Sequence, residues 1–423
     1  MKNKEKKSGK IFKRILLSFL VIIVLISGVT AIVNGALIKT NVKKANSFPS
    51  AECEQIKAEN ITDGYWNIYF DGEMKVMQMS DVHLGGGWMS AKKDAMTLNA
   101  VAAMITAEKP DFVIVTGDIA FPVPFKAGTF NNKSGAKLLA ELMENLGVYW
   151  TASFGNHDTE AYSYFNREEI TELYSAYPHC LLREGAKGID GYGNQVFNIV
   201  NSDGIITRSL FTLDTHSYID GDYFGIEWKY DGLHENQINW YSETVKQINA
   251  KNSETVAAME PAKAAEYANL HETVPSSVFI HIPFGEYREA WIEYAENGYK
   301  DTANVKSIYG TAGESGDIVY CSLHDDNFFE TMQELGSTDS VFCGHDHLNN
   351  FSLEYKGIRL NYTYSVDYLA YSGIYKLGSQ RGCTVITIGA DGSLESKLEN
   401  YYQEKYESHY EKEDVTMQEL LQK

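Results

Sequence analysis

Five short clusters of acidic, amide and imidazole side chains are spread along the chain, each directly after an apolar stretch. In chain order they are Ser80-Asp81-Val82-His83, Thr116-Gly117-Asp118, Gly155-Asn156-His157-Asp158, His281 and Gly344-His345-Asp346-His347. Carboxylate and amide oxygens and imidazole nitrogens are ligands of hard-to-borderline divalent metals. Two metals that share one carboxylate can clamp the attacking and leaving oxygens of a phosphoryl group. A lone Asp-x-His arises often by chance, but five clusters in this order indicate a two-metal site.

The apolar stretches before the clusters predict the elements that must position them. Strands at Met74–Met79 and Phe112–Thr116 alternate with helices near 91–108 and 136–146, and further strands are expected at 148–154, 278–282 and 340–343. Alternating strands and helices are typical of an α/β domain. Because open α/β sheets gather ligands at the carboxyl ends of their strands, we expect the clusters to meet there. The sequence thus predicts one such domain over residues 66–400.

Composition limits the class of protein and its partners. The chain has 423 residues, of which 44% are hydrophobic, so it can bury a sizeable core. Its net charge of −20 repels polyanions, and we therefore expect no nucleic acid partner. The five cysteines form no CxxC pair, which favours buried thiols over a disulfide framework or a zinc knuckle.

The N-terminus carries a membrane signal. A basic segment, 1–14, precedes residues 15–38, which hold no charge and are long enough to cross a bilayer as a helix. Basic residues before such a span predict a cytoplasmic N-terminus and an exported remainder. We expect an uncleaved anchor, then a linker at 39–65, and a peripheral helical tail at 401–423. A signal peptide cleaved after Ala31 or Ala36 is the alternative, and it would leave the protein secreted.

The order DVH, GD, GNHD, H, GHDH resembles that of the calcineurin-like metallophosphoesterase superfamily, over roughly residues 74–388. Further stretches resemble its purple-acid-phosphatase-related branch, namely LDT at 213–215, ENQINW at 235–240, FIHIP at 279–283 and FCGHDHLNNF at 342–351. The resemblance implies a four-layer α/β/β/α sandwich that hydrolyses phosphoric esters.

It also implies a role for each cluster residue. A first metal would be held by Asp81, His83, Asp118 and His347, and Asp118 would bridge to a second metal held by Asn156, His281 and His345. His157 would meet the substrate and protonate the leaving oxygen, with Asp158 orienting its ring. Manganese, iron or zinc fits this ligand set, and a hydroxide bridging the two metals would attack phosphorus in line.

One position departs from true purple acid phosphatases, which carry a metal-bound tyrosine three residues beyond the Gly-Asp aspartate. Phe121 stands there, so we expect a colourless site without an iron–tyrosinate.

The motifs do not separate a phosphatase from a phosphodiesterase or nucleotide pyrophosphatase, and a non-catalytic surface binding protein on the same fold is a further alternative. Specificity loops are expected at 121–134, 220–232 and 286–323. The remaining histidines match no motif, and of these His216 and His324 are expected nearest the pocket.

Overall fold

The computed structural model describes residues 2–324, 326–371, 374, 381–408, 412, 413 and 415. The helices are α1 (Lys2–Ala45), α2 (Ala91–Glu108), α3 (Pro124–Ala127), α4 (Asn132–Leu146), α5 (Arg167–Ser175), α6 (Glu235–Ala257), α7 (Pro261–Ala264), α8 (Gly285–Glu296) and α9 (Phe328–Leu335). The strands are β1 (Lys57–Thr62), β2 (Tyr65–Tyr69), β3 (Met74–Met79), β4 (Phe112–Thr116), β5 (Trp150–Ser153), β6 (Gln195–Val200), β7 (Ile206–Thr212), β8 (Ser276–Phe279), β9 (Val305–Tyr309), β10 (Thr338–Cys343), β11 (Ser352–Tyr355), β12 (Ile358–Tyr362), β13 (Gly382–Ile388) and β14 (Leu394–Asn400).

The strands form two sheets. One has the order β1-β2-β6-β7-β8-β10-β12-β11-β9, and the other β14-β13-β3-β4-β5. In the smaller sheet β3, β4 and β5 are parallel, and in the larger one β7, β8, β10 and β12 are parallel. The strands before all five clusters therefore belong to these two parallel sets, which brings their carboxyl ends to one edge of each sheet.

The sheets pack face to face with helices on their outer sides. Their shared core includes Phe112 from the smaller sheet and Phe279 and Phe342 from the larger one, whose rings stack with centroids 5.0 Å apart. The outer face of the smaller sheet is covered by α2, α4 and α5, and that of the larger sheet by α6, α8 and α9. Because β4 is covered on both faces, every residue in it is buried. The expected four-layer α/β/β/α sandwich is confirmed.

Helix α1 differs from the expectation for the N-terminal region. Within it, Lys10–Ala45 is long and apolar enough to cross a membrane by length and composition. The segment 39–65, expected as a linker, instead continues α1 to Ala45 and then supplies β1 at the edge of the larger sheet. Val42, Ala45 and Phe48 recur every three residues and pack into the core beside α4, a periodicity that the sequence interpretation overlooked.

The C-terminal tail is also described in part. Residues 401–406 form turns and bends, and the Tyr401 and Tyr406 side chains are buried in the core of the smaller sheet. The tail therefore begins as part of the core and not as a peripheral helix. Residues 409–411, 414 and 416–423 lie outside the described part of the chain.

Candidate metal centre

Asp118 lies where the five clusters meet. Its Oδ2 atom is 3.2 Å from Nε2 of His83 and 3.3 Å from Nε2 of His281. Its Oδ1 atom accepts the backbone N–H of His157 at 2.8 Å. Its position between the two groups of expected ligands is the one that a bridging carboxylate requires.

The first group of ligands faces Asp118 from two sheets. Ligand atoms of Asp81, His83 and His347 lie within 4.8 Å of one another. His347 Nε2 is 3.4 Å from Asp81 Oδ1, and that buried oxygen receives no hydrogen bond. A buried carboxylate oxygen without a donor is costly. A divalent cation would satisfy it, so the residues fit a metal.

The second group lies on the other side of Asp118. His281 Nε2 is 3.2 Å from Asn156 Oδ1 and 3.4 Å from His345 Nδ1. Since His281 Nδ1 lies 2.8 Å from the Thr116 carbonyl oxygen, Nδ1 carries the proton and Nε2 presents its lone pair to the site. Burial lowers the pKa of His281, but the charge and hydrogen bond of Asp118, the charge of Asp81 and the Thr116 carbonyl oxygen together raise it to about 9. A site that attracts protons so strongly attracts cations for the same reason.

The backbone turns sharply at four of these residues. Asp81, His83, Asp118 and His345 have φ of 52°, 50°, 52° and 75°. Left-handed conformations are costly for residues with a Cβ and persist where the surrounding structure enforces them, commonly at functional sites. Two motif glycines permit close approach: a Cβ on Gly155 would lie 2.2 Å from Asp118 Oδ1, and one on Gly344 would lie 1.8 Å from Ser80 Oγ.

Asp367, which the sequence analysis missed, supports two of the imidazoles. Its carboxylate oxygens are 3.4 Å from His83 Nδ1 and 3.6 Å from His347 Nδ1. Backbone N–H groups of Leu369 and Ala370 donate to it at 2.7 Å. Although burial raises the pKa of Asp367, the neighbouring His83 lowers it below its ordinary value. The only sequence signal was its place just beyond β12, the parallel neighbour of β10.

His157 lies beside the ligands and lines a cleft next to them. Its Nδ1 atom is 2.6 Å from Oε1 of Glu160, whose side chain is 3% exposed. The structure therefore corrects the expectation that Asp158 orients this ring. Asp158 instead accepts backbone N–H groups of Asp118, Ala120 and Gly155 at 2.8–2.9 Å, which fixes the loops that carry the ligands. The ring of Phe121 lies edge-on to His157 at 4.8 Å and brings no phenol oxygen to the site.

The cleft has a volume of about 280 Å³. Two of the expected specificity loops line it, 220–232 through Trp228 and Tyr230 and 286–323 through Glu314 and Tyr320. The third, 121–134, is divided: Phe121 contacts His157, whereas the residues from Gly128 onward lie against α1, where Asn34 donates a hydrogen bond to the Gly128 carbonyl oxygen at 3.2 Å.

Two predictions about other residues have clear outcomes. All five cysteines are buried and free, as expected. His216 and His324 come together with His234 and Asp231 in a separate cluster, which the sequence analysis did not anticipate.

Comparisons with known proteins agree with this arrangement. Two relatives from Arabidopsis thaliana are named probable inactive purple acid phosphatases 28 and 29. They are 26% and 27% identical over 71% and 77% of this chain, and over 72% and 79% of their own lengths. The phosphatase DCR2 of Saccharomyces cerevisiae is 26% identical over 67% of this chain and 45% of its own length.

These relatives confirm the resemblance to the purple-acid-phosphatase-related branch. A family model described as calcineurin-like phosphoesterase matches residues 74–349, which is more than half of the chain and includes every expected metal ligand. The chain therefore belongs to the calcineurin-like phosphoesterase family.

Proposed function

We propose that this protein is a metal-dependent hydrolase of phosphoric esters. The observation that carries the proposal is the convergence of six further potential metal-ligand side chains on Asp118, with His157 at the edge of the adjoining cleft. Two divalent metals bound there would activate water and neutralise charge on the phosphoryl oxygens. Manganese, iron and zinc all suit the donors.

The chain's own residues would hold the ligand-bearing loop in place and supply the proton for the leaving group. Asp118 would be shared by the two metal sites, and Asp158 would hold its loop through three backbone hydrogen bonds. His157 would give its proton to the leaving oxygen from Nε2, because Glu160 occupies Nδ1 and holds the ring in place.

The lining of the cleft favours monoesters of an aromatic or apolar alcohol as substrates. Trp228, Tyr230 and Tyr320 offer aromatic surface beside the metal ligands. No Lys or Arg lines the cleft among the residues that the structure describes, whereas Glu314 does. A nucleotide polyphosphate would bring additional negative charge towards that carboxylate, and no Lys or Arg among the described lining residues would offset it. We therefore favour a phosphatase over a nucleotide pyrophosphatase.

Hydrolysis of an aryl phosphate monoester by the full-length chain in detergent tests the proposal, with manganese, iron or zinc added and a diester run in parallel. Asp118→Asn should abolish turnover, and His157→Ala should lower it by about 10²–10⁴-fold. His271→Ala is the control, because His271 is 40% exposed and belongs neither to the expected ligands nor to the lining of the cleft. Because two relatives bear the name probable inactive, a metal-loaded chain with no turnover on either ester would favour the non-catalytic binding protein.

We further propose that α1 stays attached as a membrane anchor, with the hydrolase domain on the extracytoplasmic side. Asn34 accepts the backbone N–H of Trp88 at 2.8 Å and donates to Gly128, so cleavage after Ala36 would remove a residue bonded to the domain. The mass of the membrane-bound protein tests retention, and protease accessibility in intact cells tests the side. A shortened, soluble product would favour the secreted alternative.

A further inference from the structure

Four aromatic side chains and one carboxylate line the cleft beside the metal centre, namely Trp228, Tyr230, Tyr320, Tyr371 and Glu314. Aromatic faces attract apolar groups and cations alike, because the face of each ring carries partial negative charge. A quaternary ammonium combines both properties, since methyl groups cover its positive charge. We propose that the substrate is a phosphate monoester whose alcohol carries a quaternary ammonium group close to the ester oxygen. This substrate class rests on the proposed function and narrows the apolar alcohols that the cleft favours.

Trp228 and Tyr320 form two walls of the cleft. Their ring centroids lie 6.1 Å apart and their planes meet at 82°, so a group in the corner between them can touch both rings. The backbone of Trp228 has a φ of 55°, which is costly for a large side chain and persists where the surrounding structure enforces it. Asp222 holds this loop by accepting the backbone N–H groups of Ile226 and Lys229 at 2.9 and 3.2 Å. The indole, the aromatic group that attracts cations most strongly, is thereby held at the cleft with 63% of its side chain exposed.

Glu314 supplies negative charge and is tied to the loop of the metal ligands. Its Oε1 atom accepts the backbone N–H of Leu348 at 3.1 Å, and Leu348 directly follows the expected ligand His347. Backbone N–H groups of Gly313 and Glu314 donate to Asn349 Oδ1 at 2.9 and 3.2 Å. Because both the side chain and the backbone are bonded to this loop, the carboxylate stays beside the cleft.

The charge of Glu314 acts on two of the rings. Burial raises the pKa of Tyr320 and of Tyr371, and the charge of Glu314 raises both further. Tyr320 donates its backbone N–H to Asp346 Oδ2 at 3.1 Å, and the Tyr371 ring lies 5.7 Å from that of His347. No Lys or Arg lines the cleft in the described part of the chain, and the net charge of −20 attracts cations. A carboxylate beside aromatic rings favours a cation over a neutral group of the same shape.

Tyr230 connects this aromatic corner with the metal centre. Its ring lies edge-on to the imidazole of His345, with centroids 4.3 Å apart, and it stands two residues beyond Trp228. A substrate with its phosphoryl group at the metal ligands would lay a short alcohol chain along Tyr230 and place its ammonium group between Trp228 and Tyr320. Hydrolysis would break the bond between phosphorus and the alcohol oxygen. Water would supply the new bond to phosphorus, and the alcohol would leave with the proton of His157.

Phosphocholine and its neutral isostere, in which tert-butyl replaces trimethylammonium, test the proposal on the full-length, metal-loaded chain in detergent. We expect kcat/KM to be about tenfold higher for phosphocholine. Glu314→Gln and Trp228→Leu should each bring the ratio close to unity, since leucine is apolar but has no aromatic face. The matched controls are Glu334→Gln, an exposed carboxylate on α9, and Trp88→Leu, an exposed indole beside α1. Equal kcat/KM for the two esters would overturn the proposal, although their hydrolysis would still support the proposed function.

Choline itself supplies a measurement that needs no turnover. We expect it to change the fluorescence lost on Trp228→Leu saturably, at a concentration about tenfold lower than its neutral tert-butyl isostere requires. Glu314→Gln should remove the difference between the two alcohols. Ethanolamine, whose ammonium has no methyl surface, should bind more weakly than choline. Equal responses to choline and the isostere, or tighter binding of ethanolamine, would overturn the proposal even for a chain that hydrolyses no ester.

Discussion

The Nδ1 atom of His157 lies 2.6 Å from Oε1 of Glu160, a carboxylate three positions along the chain and nearly excluded from solvent. Glu160 therefore takes the part that the motif had suggested for Asp158. A buried carboxylate on one ring nitrogen holds the imidazole in place, which leaves Nε2 to act on the substrate.

Replacing Glu160 with Gln should lower kcat by about 10–100-fold with little change in KM or metal content. The loss should be larger for an alkyl phosphate than for an aryl phosphate, because a poor leaving group depends more on protonation. Steady-state kinetics with both substrates measures this. Glu168→Gln, an exposed carboxylate at the start of α5, should behave like the wild type. Equal losses on the two substrates would argue against a role through His157.

Asp367→Asn should lower the affinity for the first metal and leave the affinity for the second unchanged. Loss of its charge removes the partner of His83 and His347, and such changes typically cost 10–100-fold in metal affinity. Titration with manganese, followed by calorimetry, should resolve one weakened site and one unchanged site. The exposed control is Asp391→Asn. Equal weakening of both sites would show that Asp367 serves the whole fold and not the first metal.

The ligands could be predicted because each stands directly after a buried strand, so that local sequence and a general rule for sheets sufficed. The roles of Asp367 and Glu160 could not be predicted from the sequence, because they depend on which chain segments meet in space. For Asp158 the sequence suggested the wrong partner. It is next to His157 in the chain, but its carboxylate accepts hydrogen bonds from backbone N–H groups. The structure of 39–65 was also not predicted, because only three apolar residues at helical spacing mark the continued helix in an otherwise polar segment.

Asp94 should make stability depend on pH. Burial raises its pKa to about 7, although the N–H groups of Gly85 and Gly86 donate to its carboxylate. The unfolded chain releases this proton near pH 4, so the folded state holds it more tightly between about pH 4 and pH 7. The free energy of unfolding should fall as pH rises through that window, by at most about 1.4 kcal/mol per pH unit, and then level off.

Chemical denaturation of the wild type and Asp94→Asn from about pH 5 to pH 8 checks this. The difference between their unfolding free energies should change with pH in the direction just given, because asparagine does not titrate. Asp220→Asn, at an exposed position, should run parallel to the wild type. A pH-independent difference between the wild type and Asp94→Asn would mean that the folded state does not hold this proton.

Trp88 should report on the membrane. Its side chain is 50% exposed and lines a pocket beside α1 together with the exposed side chains of Met89, Phe130 and Tyr164. Residues 15–34 would span about 30 Å as a helix, which places Asn34 and its partner Trp88 near the bilayer surface. Trp and Tyr are enriched at that depth. In nanodiscs that contain lipids brominated close to the headgroup, the fluorescence lost on Trp88→Phe should therefore be strongly quenched.

Trp228 provides the matched control, because it is 63% exposed but lines the cleft. The fluorescence lost on Trp228→Phe should be unquenched by the same lipids, so that exposure alone cannot account for the Trp88 signal. Quenching of both residues would place the cleft at the bilayer too and direct the search for substrates to lipid phosphates. If neither is quenched, the aromatic surface around α1 faces water, and the domain stands away from the membrane on its helix.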